Sequence, residues 1–178
     1  MARVSLIEEK DHPEISDLTA KIRSERRGAL LNIYKLLLHS PPLAATWLEH
    51  FNAVRWKTQL DGRTREIVII RIALLNRMDY VIRQHVPGLA QAEGLTEQEC
   101  GALSDWEACG LFRKSERAAL TLADAMTRSL EVPDSIFSEL RRDYSERQIV
   151  ELAVLIGSYN MHNRVFAALK VDPEGKTA

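Results

Sequence analysis

One stretch of the sequence decides the fold class: residues 60–75 read LDGRTREIVIIRIALL. Its β-branched run, residues 67–72, has the composition of a buried strand. No second run of this kind is available to pair with it, and a lone strand would leave its backbone groups without hydrogen-bond partners. Asp61 and Thr64 favour the start of a helix, and the apolar run continues to Leu75. The stretch is therefore predicted to be a helix that is apolar on nearly all sides and buried by other helices or by another subunit.

The flanking sequence also favours helices. Apolar residues recur at helical spacing along residues 30–38, 43–54 and 119–130. The few glycines and prolines, 8 and 6 residues, fall between these segments. Residues 96–99 and 145–148 have the pattern of a capping box, and the second box opens a helix predicted to run to about residue 169. The predicted fold class is all-α.

Length and composition indicate one globular domain, residues 1–178, with a core of about 28–171 and peripheral segments at 1–15 and 172–178. The formal net charge is −1, and no run of Lys or Arg lies along one helix face, which argues against a nucleic-acid partner. The sequence has no apolar run of membrane-spanning length. Its N-terminus lacks the composition of a signal peptide, and two cysteines do not form a disulfide framework. We therefore expect a cytoplasmic protein that does not bind membranes.

Several short motifs occur in a characteristic order: residues 60–66, then Tyr80 and His85, then residues 90–96. Together they resemble the signature of the carboxymuconolactone decarboxylase family, which includes the alkylhydroperoxidase D-like (AhpD-like) proteins. Similarity in the flanking segments extends the resemblance to about residues 28–171. The resemblance implies an AhpD-like helical bundle that assembles as a homo-oligomer, either a dimer, a trimer or a hexamer. Members of the family include decarboxylases of a carboxylated lactone and thiol-dependent peroxidases.

The peroxidase branch of this family carries a Glu, a Cys-x-x-Cys pair and a His, with the Glu and the His 19 positions apart. Glu66 and His85 keep this separation, but Met78 and Val81 stand at the two cysteine positions. A thiol peroxidase needs a reactive thiolate and a second thiol that resolves the sulfenic acid. The resemblance therefore favours the cysteine-independent members, among them the decarboxylases.

The resemblance makes Glu66 and His85 the candidate catalytic residues. On residues alone, the favoured interpretation of Glu66 is an acid stabilised by the helix dipole, and that of His85 is a structural histidine; the family match reverses both. A dry pocket would raise the pKa of Glu66 and let it exchange a proton near neutral pH. In a regular antiparallel hairpin that turns near Met78, the two residues would be offset along the axis by several ångströms. A kink, a steep crossing angle or a bound substrate must close that gap.

Six further polar residues are candidates for substrate binding. They are Tyr80, Arg71 and Arg83 near the candidate pair, and Asn160, His162 and Arg164 in the last helix. The arginines could hold a substrate carboxylate through two parallel hydrogen bonds. For Arg71 the alternative is an ion pair with an acid on a neighbouring helix or subunit. The patch on the last helix either lines a pocket or contacts another subunit, and the second interpretation is slightly favoured.

The leading hypothesis is a cofactor-independent decarboxylase or isomerase, with a small carboxylated lactone or organic acid as its partner and Glu66 and His85 as its proton-transfer groups. Histidines are scattered and no His-Glu-x-x-His motif occurs, so no metal site is predicted. Two alternatives remain open. One is a redox protein that uses Cys100 or Cys109 outside the family motif. The other is a non-catalytic oligomer that binds a metabolite or a partner protein.

Overall fold

The computed structural model describes residues 1–175, which form helices joined by short loops. The α-helices are α1 (Ser16–Glu25), α2 (Asn32–Leu37), α3 (Pro41–Trp56), α4 (Gly62–Leu75), α5 (Asp79–Gln84), α6 (Glu97–Ala102), α7 (Lys114–Arg128), α8 (Asp134–Leu140) and α9 (Glu146–Leu169). Short 3₁₀ segments occupy Glu9–Asp11, Pro13–Ile15 and Leu103–Ala108, and a π-helical segment, His85–Ala90, directly follows α5. No strand occurs within residues 1–175, so the predicted all-α class is confirmed.

The chain divides into two compact units. The first unit contains residues 1–53 and the C-terminal residues from 165 onward. Within it, the backbone N–H of Arg3 donates to the carbonyl oxygen of Leu169 at 2.9 Å, which joins the two ends of the chain. The tail predicted to be peripheral, residues 172–178, lies partly outside the described residues. The single domain predicted for residues 1–178 stays a prediction.

The second unit, residues 54–164, is organised around α4. Asp61 is the N-cap of this helix, because its side chain accepts a hydrogen bond from the backbone N–H of Thr64 at 2.9 Å. Every residue from Thr64 to Ala73 is buried, and α4 packs against α5, α7, the π-helical segment and the 3₁₀ segment before α7. These observations confirm the predicted buried helix, and the strand interpretation of residues 67–72 is wrong.

One face of α4 supplies a well-packed apolar core. Ile67 and Ile70 belong to a cluster of buried side chains whose other members are Ala90, Leu95, Cys100, Leu103, Trp106, Phe112 and Leu120. Full burial of an aliphatic side chain of this size stabilises a fold by about 1.5–3 kcal/mol relative to exposure. The apolar run of α4 therefore anchors the helices on which the candidate site residues lie.

Two predicted helix starts are present as expected. Thr96 and Glu99 exchange side-chain and backbone hydrogen bonds at the start of α6. The hydroxyl of Ser145 accepts from the backbone N–H of Gln148 at 3.3 Å just before α9, and the Gln148 side chain accepts in return from the N–H of Ser145 at 3.0 Å. Both capping boxes are confirmed, and α9 ends at Leu169 as predicted.

Arg71 interrupts the apolar run of α4 and forms a buried ion pair. Its Nε and Nη2 atoms lie 2.6 Å from the two carboxylate oxygens of Asp124 on α7. Its Nη1 atom donates to the carbonyl oxygens of Leu103 and Ser104 at 2.9 and 3.0 Å. The ion pair that the sequence left open is therefore present, and most of the guanidinium N–H groups have a partner within the protein.

We expect Arg71→Met to lower the free energy of unfolding by about 3–5 kcal/mol, because it leaves the buried Asp124 carboxylate without its main partner. The double variant Arg71→Met, Asp124→Leu should recover part of this loss, since it removes both charges. Urea unfolding followed by circular dichroism measures both effects. The control is Arg142→Met, which breaks the exposed pair with Glu139 and should cost less than about 1 kcal/mol. Equal small losses in Arg71→Met and the control would contradict a structural role for the buried pair.

Candidate active site

Glu66 and His85 form a buried, hydrogen-bonded pair in the second unit. The Nδ1 atom of His85 lies 2.6 Å from Oε2 of Glu66. Glu66 is fully buried in the first half of α4, and His85 is 6% exposed at the start of the π-helical segment. The structure thus brings together the two residues that the sequence nominated as catalytic.

The axial offset expected from a regular hairpin is closed by local departures from α-helical geometry. After α4, Arg77 adopts a left-handed conformation with φ of 53°, and the N–H of Met78 donates to the carbonyl oxygen of Ala73 at 2.8 Å. The helix α5 is short, and the chain changes to π-helical geometry at His85. Such π-helical turns often occur at functional sites because they redirect a side chain. Here the turn carries the imidazole that meets Glu66.

His85 and two arginines keep Glu66 ionised. Nη2 of Arg55 and Nε of Arg65 each lie 3.6 Å from Oε1 of Glu66. Burial raises the pKa of Glu66, but the hydrogen bond from His85, the positive charge of the His85 ring and the charges of Arg55 and Arg65 together outweigh it and hold the pKa below its ordinary value. The expectation that a dry pocket would raise this pKa is therefore wrong, and Glu66 is a carboxylate at neutral pH.

The ionised Glu66 determines the tautomer of His85. A carboxylate can only accept, so Nδ1 of His85 carries the hydrogen in their 2.6 Å bond. The neutral ring then has its lone pair on Nε2, and Glu66 stabilises the positive charge that appears when Nε2 takes up a proton. The pair is thus arranged to receive and return a proton at Nε2.

Tyr159 on α9 links His85 to a second histidine. Its ring meets the His85 ring edge to face with centroids 5.8 Å apart, and it lies 5.3 Å from the His162 ring. The pKa of His162 is lowered to about 3, mainly by burial; the hydrogen bond with Asn163 opposes this shift, and the positive charges of His85 and Arg55 add to it. His162 is therefore a neutral imidazole at pH 7.

The guanidinium groups of Arg55 and Arg65, beside Glu66, use only some of their N–H donors in hydrogen bonds. Nη2 of Arg65 donates to Oε1 of Glu93 at 2.7 Å. The carboxylate of Glu93 lies directly over Gly62, where any side chain would displace it. In contrast, Nε and Nη2 of Arg55, Nε of Arg65 and Oε1 of Glu66 are buried without a hydrogen-bond partner in residues 1–175. Buried polar atoms of this kind are rare, and several of them in one place are typical of a site that receives a ligand or an ordered water.

The other predicted site residues lie in different environments. Arg71 is bound by Asp124, as described above. Asn160 is held within the protein, because its side-chain N–H groups donate to Thr127 and Ile156 and its Oδ1 accepts from Asn76 and Arg164. Tyr80 is buried on α5, whereas Arg83 on the same helix is exposed. His162 is the substrate-binding candidate that the structure shows packed beside Tyr159. The binding roles of all six residues stay predictions.

Sequence reasoning missed three residues of the site: Arg55, Arg65 and Trp56. The half-exposed Trp56 ring lies 4.5 Å from Cζ of Arg55 and 4.9 Å from Cζ of Arg65. Arg65 was within the motif stretch and adjoins Glu66, so its position offered a signal. Arg55 and Trp56 end α3 with no pattern that distinguishes them from a solvated helix end.

Both cysteines are free thiols. Cys100 is buried, and Cys109 is half-buried with its Sγ 3.4 Å from the carbonyl oxygen of Trp106. Burial, with a smaller contribution from nearby negative charge, raises the pKa of Cys100. The thiolate is the reactive form, so this environment disfavours Cys100 as a nucleophile. Among the described residues, no three His, Cys, Asp or Glu side chains are placed to hold a metal ion.

Solved structures define the class of fold. A peroxidase-related protein with an AhpD core from Ralstonia eutropha superposes with a TM-score of 0.83 at 16% identity, over 98% of this chain and 93% of that protein. The debrominase Bmp8, in complex with 2,3,4-tribromopyrrole, superposes with a TM-score of 0.80 at 20% identity, over 98% of this chain and 95% of that protein. The helices therefore form the AhpD-like fold.

Sequence comparison then gives the family. Residues 41–125, which include Glu66 and His85, match the carboxymuconolactone decarboxylase family. The uncharacterized protein YdfG of Bacillus subtilis is 32% identical over 115 residues, which cover 64% of this chain and 78% of YdfG. This chain belongs to the carboxymuconolactone decarboxylase family. Within residues 1–175, no helix combines the length and the apolar character needed to span a membrane.

We expect His162 to make stability depend on pH between pH 6.5 and 3. Its pKa is about 3 in the folded protein and 6.5 when the ring is exposed, so the unfolded chain binds more protons in this interval. The stabilisation is fully present above pH 6.5 and is lost as the pH falls toward 3. Between pH 6 and 5 the free energy of unfolding should fall by about 1 kcal/mol per pH unit.

Urea unfolding at pH 7, 6 and 5 measures this slope. The variant His162→Gln should flatten it, because glutamine does not titrate. His50→Gln, which replaces an exposed histidine, is the matched control and should keep the wild-type slope. A slope that survives in His162→Gln would show that another group is responsible.

Proposed function

We propose that this protein is a cofactor-independent enzyme that transfers a proton at a carbon next to a carbonyl group, as a decarboxylase or an isomerase of a small carboxylated lactone or related organic acid. The observation that carries the proposal is the buried hydrogen bond of 2.6 Å between an ionised Glu66 and His85. Membership of the carboxymuconolactone decarboxylase family supports it.

The proposed decarboxylation needs one proton for each carbon dioxide released. The bond between the substrate carbon and its carboxylate breaks, and the electron pair passes to that carbon and on to the adjacent carbonyl oxygen as an enolate. His85, protonated from solvent, donates the Nε2 hydrogen to the carbon, and carbon dioxide leaves. Glu66 stabilises the imidazolium before the transfer and fixes the ring throughout. In an isomerisation, neutral His85 would remove a proton from one carbon and return it to another.

The residues at the cysteine positions of the peroxidase branch, and the environment of Cys100, disfavour thiol chemistry. Met78 and Val81 replace the cysteine pair of the peroxidase branch, and the raised pKa of Cys100 opposes formation of a thiolate. A pair that moves a proton without a neighbouring thiol is suited to act on the substrate itself. This supports the lyase or isomerase proposal over the redox alternative.

Glu66→Gln and His85→Asn should each abolish most of the activity, with kcat lowered about 10²–10⁴-fold. The screen incubates small lactone carboxylates and mono- and dicarboxylic acids with the protein in D2O. Proton NMR detects deuterium at the carbon next to the carbonyl, and membrane-inlet mass spectrometry detects carbon dioxide. Glutamine keeps the size of Glu66 and removes its charge, so the imidazolium loses its stabilising partner.

The control is the double variant Cys100→Ala, Cys109→Ala, which should retain the activity because neither thiol takes part. Loss of activity in the cysteine variant alone would favour the redox interpretation. The proposal would be overturned if Glu66→Gln and His85→Asn exchanged and decarboxylated the substrates as fast as the wild type.

A further inference from the structure

Arg55 is a half-buried arginine, with a side chain 13% exposed, and two of its donors have no acceptor among the described residues. Its Nε and Nη2 atoms are buried without a hydrogen-bond acceptor within the described residues. The nearest acid is Glu66, whose Oε1 atom lies 3.6 Å from Nη2, and that oxygen also has no hydrogen-bond partner. The two groups are close enough to attract each other, but too far apart for a hydrogen bond.

Other arginines of the second unit are bonded much more completely. Arg71 is bound to Asp124 and to two carbonyl oxygens. Arg63 donates to Glu99 at 2.5 Å, to Glu116 at 2.7 Å and to a carbonyl oxygen at 3.1 Å. A buried guanidinium without acceptors is unfavourable, because it has given up its hydration. Arg55 therefore differs from Arg63 and Arg71 because two of its buried donors lack an acceptor among the described residues.

The charges around Arg55 favour an anionic acceptor. The charged cluster consists of Arg55, Arg65, His85, Glu66 and Glu93. When His85 is protonated, this cluster holds one more positive charge than it has carboxylates. A single bound carboxylate would balance that excess, and guanidinium groups bind carboxylates through two parallel hydrogen bonds. The protonated form of His85 is also the form that the proposed decarboxylation requires.

Trp56 provides an apolar surface at the same position. Its ring is 52% exposed and lies against the guanidinium groups of both Arg55 and Arg65. This contact fixes the plane of Arg55 by a cation–π interaction. Because this exposed ring lies 4.5 Å from Cζ of Arg55, a carboxylate that binds the guanidinium should also change the environment of Trp56.

We propose that Arg55 is the specificity-determining residue that binds a carboxylate of the substrate, with Trp56 covering the bound group. This inference rests on the proposed function and names the residue that selects the acid group. A carboxylate held by a guanidinium is stabilised against loss as carbon dioxide, so the group that Arg55 holds is one that the reaction retains.

The test compares an acid with its neutral isostere. The protein is labelled with 5-fluorotryptophan, and the ¹⁹F resonance of Trp56 is identified by its loss in Trp56→Phe. Titration with sodium cyclopentanecarboxylate should shift this resonance and give a dissociation constant. Cyclopentanecarboxamide, which has the same shape without the charge, should bind about tenfold more weakly or not at all.

Variants assign the binding to Arg55. Arg55→Gln should raise the dissociation constant of the carboxylate about tenfold or more, and Arg55→Lys should retain part of the affinity, because it keeps the charge without the paired donors. Arg141→Gln removes an exposed positive charge and should bind as the wild type does. Thermal unfolding and circular dichroism verify that each variant is folded, and the acid–amide comparison on the wild type tests the inference without any variant.

Three results would overturn the inference: no binding of the carboxylate to the wild type, equal binding of acid and amide, or an unchanged dissociation constant in folded Arg55→Gln. The probe undergoes no reaction, so the outcome is separate from that of the proposed function. Carboxylate binding that depends on Arg55, without turnover of any lactone, would support this inference and contradict the decarboxylase proposal. Turnover that depends on Glu66 but not on Arg55 would support the decarboxylase proposal and overturn this inference.

Discussion

The stability of the second unit depends on how the charged side chains of the buried helix α4 are compensated. Arg65, Glu66 and Arg71 lie on a helix whose other buried residues are mostly apolar. A buried charge is strongly unfavourable unless an opposite charge and hydrogen bonds compensate it. Arg71 finds its partner on α7, and Glu66 finds His85 on the π-helical segment. Two ion pairs therefore add to the apolar packing of α4, and one of them is the candidate site pair.

Local signals predicted the helices but not the site geometry. The Asp61 cap and the capping box at Thr96 act within a few residues, so the sequence alone was enough to place them. The contact between Glu66 and His85 depends on a left-handed Arg77 and on a π-helical turn, which tertiary packing sets and apolar periodicity does not record. The wrong direction for the pKa of Glu66 has the same origin, because burial was predictable from an apolar helix, whereas the hydrogen bond from His85 and the nearby charge of Arg55 were not.

Membership of the family explains why the Glu–His pair keeps its spacing when the cysteines are absent. In the peroxidase branch the pair stands beside two thiols, whereas Met78 and Val81 occupy those positions here. Val81 is buried, so its position adds apolar surface in place of a reactive group. Apolar surroundings strengthen the electrostatic interaction between Glu66 and the His85 ring. The loss of the thiols is therefore compatible with a pair that remains arranged for proton transfer.

The buried and half-buried arginines of the second unit differ in the number of hydrogen bonds that they make to described residues. Arg71 and Arg63 use their donors on carboxylates and carbonyl oxygens of the protein, and so they join helices. Arg55 lies at a similar depth next to Glu66 but leaves two buried donors without an acceptor. If the fold alone had shaped this position, an apolar residue stacked on Trp56 would have avoided the desolvation of the guanidinium. The carboxylate proposed above would supply the acceptors that these two donors lack among the described residues.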